Sequence, residues 1–123
     1  VNLAEFRSAA AAALDGLDDS WAVHPAPLDG MQPPAFMLVW GDPWLAPATN
    51  CARYATLEVV AVAARLEPEA NYPTLETMVA AANLALEAAA LIPAQTARPG
   101  PLDFGGITYL AARILIRQPV TLS

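Results

Sequence analysis

Lysine is missing altogether from these 123 residues, and six arginines carry the side-chain positive charge against twelve acids, for a net charge of −6. A basic groove for nucleic acid is therefore excluded, because such binding needs Lys or Arg contacts that displace counterions from phosphate. A wall past which DNA slides without sticking stays compatible with this balance. Charged residues make up only 15% of the chain, where soluble domains carry about 25%, while apolar residues reach 56%. So little charged surface favours an oligomer, although much of the apolar count is alanine, which contributes little burial per residue. Cys51 stands alone, which excludes an intrachain disulfide and a cysteine metal cage. His24 is the one histidine and lies beside Pro25 with no acid or nucleophile at a recurrent spacing. Gly105 and Gly106 belong to neither a GxGxxG nor a GxxxxGK pattern, and Asp18 and Asp19 are neighbours in a turn whose carboxylates diverge. No catalytic residue, cofactor or metal is expected. No leader pattern and no 18-residue apolar helical run occurs, so a soluble, unsecreted chain without a membrane partner is expected.

What is present is a core built around Arg53 to Glu67, RYATLEVVAVAARLE. Leu57, Val60, Ala61 and Ala64 fit a helical stripe, but Val59, Val60 and Val62, led by Tyr54 and Thr56, favour a long strand. Before it, Asn2 with Glu5 forms a capping box. Leu3, Phe6, Ala10, Ala13, Leu14 and Leu17 then follow at helical spacing, with a stop near Asp15-Gly16. Trp21, Val23 and His24 predict a short strand ended by Pro25 and Pro27. Asp29-Gly30 reads as the tight turn of a hairpin leading to a buried strand over Ala35 to Trp40. Gly41 to Cys51 reads as a long loop with Trp44 and Leu45 at its tip. Such a loop is either an interface anchor or a lid on its own core.

Past the long strand, Pro68 to Asn71 predicts a turn, and Pro73 takes the first position of a helix from about Thr74 to Leu91. Leu75, Met78, Val79, Ala82 and Leu86 form its inner stripe. Leu84, Ala88 and Leu91 lie off that stripe on a side poor in charge, which calls for a second burial partner. Ile92 to Pro101 reads as a proline-rich loop. Ile107 to Gln118 then alternates clearly, with Leu110, Ala112, Ile114 and Ile116 on one face and Tyr109, Arg113 and Arg117 on the other. If the two long strands pair, Glu58 comes opposite Arg113 or Arg117. The expected fold is α+β: one small domain over residues 1–123, with a mainly antiparallel sheet of about four strands and two packed helices in the order α-β-β-β-α-β.

That element order, with the PTLETMVAAANLALEAA helix after a long strand in an acidic chain of this size, resembles the lambda-like tail terminator (tail-completion) family of long-tailed bacteriophages. The likeness runs from Leu3 to Val120. It implies a non-enzymatic virion protein, assembled in the host cytoplasm. A ring of copies, six in the family, would cap the tail tube, stop its polymerisation and present a surface to the head-tail connector, with genomic DNA passing through the hole. A ring needs two different apolar patches per subunit. Trp44 and Leu45 offer one, and Leu84, Ala88 and Leu91 the other. Two alternatives accompany this reading. One is a connector or stopper of the same virion neck. The other is a small α+β ligand-binding domain or enzyme whose pocket, between sheet and second helix, is lined by Tyr109, Arg113 and Arg117.

Overall fold

A computed structural model describes residues 2–24, 32–47, 53–91 and 93–121. The elements follow the order α1 (Leu3–Leu14), β1 (Ala22–His24), β2 (Ala35–Pro47), β3 (Arg53–Arg65), α2 (Pro68–Ala88), β4 (Pro93–Thr96), β5 (Gly100–Phe104) and β6 (Ile107–Val120). The fold is α+β, as the periodicities predict. Its six strands are ordered β1-β2-β3-β6-β4, with β5 also on β6. Both helices pack on one face of this sheet.

The core is assembled by the pairing of β3 with β6, antiparallel from Arg53 opposite Val120 to Arg65 opposite Tyr109. Alternation along both strands sends Leu57, Val59, Ala61, Ile114 and Ile116 toward the helices. There they meet Phe6, Ala10 and Leu14 of α1 and Leu75, Met78, Ala82 and Leu86 of α2, all 1% exposed or less. β3 is buried from Val59 to Ala63 because its other face is apolar too. Val60 and Val62 cluster there with Met37, Tyr109 and Ala111. A bulge between Val62 and Ala64 shifts the register by one residue where this second cluster lies.

α1 begins as the sequence predicts. The Asn2 side chain accepts from the Glu5 amide at 2.9 Å, and the Asn2 amide donates to Glu5 Oε1 at 3.1 Å. Its stripe is buried at Phe6, Ala10 and Leu14, but Leu17 lies beyond Gly16, the glycine of the stop, and is 36% exposed.

Four expectations are corrected. β1 runs parallel to β2, so the two do not form a hairpin, and the Asp29-Gly30 turn lies outside the described residues. The expected loop from Gly41 is strand as far as Pro47. Its irregularity is a bulge in which four residues, Gly41 to Trp44, span the gap that Thr56 alone fills on β3. Gly41 is required in this bulge, since a Cβ there would lie 2.7 Å from Thr56 Cγ2 and 3.2 Å from its carbonyl oxygen.

α2 starts at Pro68 and ends at Ala88, so Pro73 lies inside it. Both prolines are tolerable. Pro68 occupies a position whose N–H would be unpaired anyway, and Pro73, a little over one turn in, forfeits a single i−4 bond. Ala90 then reverses the chain at φ 61°, with the Leu91 amide bonded to Leu86 O at 2.8 Å and the Ala90 amide to Glu87 O at 3.0 Å. This Schellman turn folds Leu91 back into the core.

Finally, two strands form where a proline-rich loop is expected. β5 makes a hairpin with β6 through Gly105 and Gly106, both at positive φ, while β4 pairs farther along β6. Both lie on the sheet's margin, where Pro93 and Pro101 can withhold their N–H groups without breaking an interior ladder.

Two substitutions test these backbone assignments with opposite signs. Ala90→Gly relieves the left-handed strain and should raise stability by about 1 kcal/mol. Gly41→Ala forces Thr56 to move and should lower it by about 1–3 kcal/mol. Urea midpoints of the two variants, compared at equal m, check both.

Candidate functional site

Among the described residues, each layer leaves a surface with chemical content once the core is buried. On the helix layer, the buried stripe Leu75, Met78, Ala82 and Leu86 turns the opposite side of α2 to solvent. Thr77, Ala80, Leu84 and Ala88 are exposed there, Leu84 at 68%. Glu76 and Glu87 flank them, and α2 has no basic residue along its whole length.

On the helix-free face of the sheet, β6 presents Arg113, Leu115 and Arg117, two residues apart and so on one side. Arg113 Nη1 meets Glu58 Oε2 at 3.3 Å. This ion pair is diagonal: Arg113 lies opposite Val60 in the register, and Glu58 opposite Leu115. Arg117 makes the same backward lean from its partner Thr56. It reaches Tyr54, where its guanidinium carbon sits 5.3 Å from the ring centre. Glu58 thus bonds Arg113 and not Arg117, which has no carboxylate partner among the described residues.

At the far margin of the sheet, aromatic rings run from core to surface. Phe6 contacts Trp40 with centroids 6.0 Å apart, and Trp40 contacts Trp44 at 5.4 Å. Trp44 is thereby fixed by Trp40 yet remains 45% exposed, part lid and part free surface. Leu45, opposite Ala55, is half-buried against the main core. Of the residues singled out as interface candidates, the structure keeps Trp44, Leu84 and Ala88 at the surface. It removes Leu91, which is 5% exposed, and leaves Leu45 mostly to the subunit's own core.

A cavity of about 400 Å³ lies between α2 and the segment joining β4 to β5, with Leu75, Val79 and Ala112 beneath and Glu76 and Arg98 among its lining. The expected liners Tyr109, Arg113 and Arg117 are not among its walls, because the alternation of β6 sends them to the other face. His24 is half-buried at the end of β1, opposite Met37. Asp18 accepts from the Ser20 hydroxyl at 2.6 Å and the Ser20 amide at 2.8 Å, which holds its carboxyl below the ordinary value and marks it as a turn residue. Among the described residues no three His, Cys, Asp or Glu side chains come together as a metal site, and no helix is long and apolar enough to cross a membrane.

No protein-family model matches this chain, and no curated protein matches it in sequence.

The diagonal Glu58–Arg113 pair is part-exposed, so its coupling should be small. A double-mutant cycle with Glu58→Gln and Arg113→Gln, read by chemical denaturation, should return about 0.2–1 kcal/mol. Additive losses would show that the two side chains do not interact in solution.

Proposed function

We propose that this chain is a structural assembly protein acting as a tail terminator, a ring of copies that caps a tail tube and receives the connector while DNA passes through. The observation that carries this reading is the exposed outer side of α2. A helix whose inner stripe is fully buried still offers Leu84 at 68% exposure among alanines and threonine. A large apolar side chain held out on a rigid helix suits a contact surface. Trp44 on its aromatic stack supplies a second, different surface, as a heterologous ring contact requires. The helix-strand order also supports the likeness to the terminator family, with two marginal strands added to it. The acidic balance, −6 overall, suits a protein that lines a DNA passage without holding the DNA. In this reading the chain carries no catalytic residue or cofactor. Its place is the virion neck, and its partners are its own copies, the tube protein and the connector.

A small-molecule function has one feature in its favour, the cavity beside Arg98, whose lining is mainly apolar. A ligand there would raise the melting temperature of the single subunit, which distinguishes the two readings.

Electron micrographs of tails assembled without this protein test the terminator reading. Tubes of uncontrolled length and heads lacking tails are expected; tails of normal length joined to heads would contradict it. Adding back Leu84→Asp or Trp44→Ala should leave the tubes uncapped while the variant subunits melt within a few degrees of wild type.

A further inference from the structure

Acids and arginines are unequally shared between the two layers. α2 carries Glu69, Glu76 and Glu87 without a base, whereas the helix-free face of β6 carries Arg113 and Arg117 with Glu58 facing them from β3. The two surfaces are opposite in sign and carry a similar short step. Leu84 and Glu87 are three residues apart on a helix, about 4.5 Å along its axis. Leu115 and Arg117 are two residues apart on a strand, about 6.6 Å. Leu84 is exposed and Leu115 half-buried. Within one subunit the two surfaces lie on opposite faces of the sheet and cannot meet.

We infer that the outer side of α2 in one copy docks on the Arg113–Leu115–Arg117 row of a second copy. Glu87 faces Arg117, and Leu84 lies on Leu115. Arg117 is the more available of the two cations, since its neighbour is the Tyr54 ring and not a carboxylate. Tyr54, itself 38% exposed, extends the apolar ground beside it. The contact joins two different surfaces, so it propagates from copy to copy and closes into a ring if the rotation allows. It rests on the self-assembly half of the terminator reading and names the faces that meet.

Charge reversal separates this contact from other modes of association. The full chain is mixed with tail tubes, or concentrated alone, and assembly is followed by sedimentation and native mass spectrometry. Glu87→Arg and Arg117→Glu should each weaken association at least tenfold, with both variants remaining folded by circular dichroism. An equimolar mixture of the two should reassemble, because every junction in an alternating assembly then pairs opposite charges; the double variant should reassemble on its own. Raising salt should weaken the wild-type assembly.

Assembly of either single variant at wild-type strength overturns this contact and leaves the tube-capping test untouched. Loss of assembly without rescue in the mixture overturns it as well. Should wild type stay monomeric while the variants lose binding to tubes or connectors, the face belongs to a different protein and the second-copy assignment is wrong.

Discussion

The pairing of β3 with β6 is the constraint on which the remaining structure depends. These two long strands hold the centre of the sheet, and their shared alternation decides which side chains meet the helices and which do not. A slip of β6 by one residue against β3 would turn Ile114 away from the helices and bring Arg113 into the core, where an unpaired charge costs several kcal/mol. The register is therefore held by burial on one face and by the placement of two arginines on the other. The bulge after Val62 marks where that alternation yields.

From this constraint follow the two surfaces of the molecule. The helix side of the sheet is filled by α1 and α2, whose small residues, Ala10 and Ala82, allow close approach and are fully buried. α2 turns its large apolar side chains inward, except for Leu84 and the partly exposed Tyr72. The helix-free side divides along its length into an apolar cluster around Val60, Val62, Met37 and Tyr109 and a polar row of Glu58, Arg113, Arg117 and Tyr54.

Much of the fold was legible in the sequence, since the signals that carry it are periodic. The alternation of Ile107 to Gln118, the capping box at Asn2 and Glu5, and the β-branched run at Val59 to Val62 each express a local rule that tertiary packing reinforces. The misread places share another cause. Proline stops an interior strand or helix, yet it is harmless at a sheet margin and in the first turns of a helix, so β4, β5 and the start of α2 leave no strand or helix signal in the sequence. Continuing the period of α2 puts Leu91 on its outer side, but the chain leaves the helix at Ala88 and turns on Ala90, where no glycine announces the reversal. Gly41 and Pro43 interrupt the strand pattern, so the sequence around Trp44 reads as a loop. A bulge of that size leaves no clear mark in sequence, although the close approach to Thr56 explains the glycine. Of the candidate surface residues, those on regular elements, Leu84 and Arg113, were the easiest to place.

The prolines on the β4–β5 margin have one more effect. An open sheet edge with every donor free is a template on which identical chains can stack into cross-β fibrils. Here Pro93 and Pro101 leave gaps in the line of donors, and the opposite margin is kinked at Gly41 to Trp44. Neither margin therefore offers an approaching identical chain an unbroken row of donors to build on.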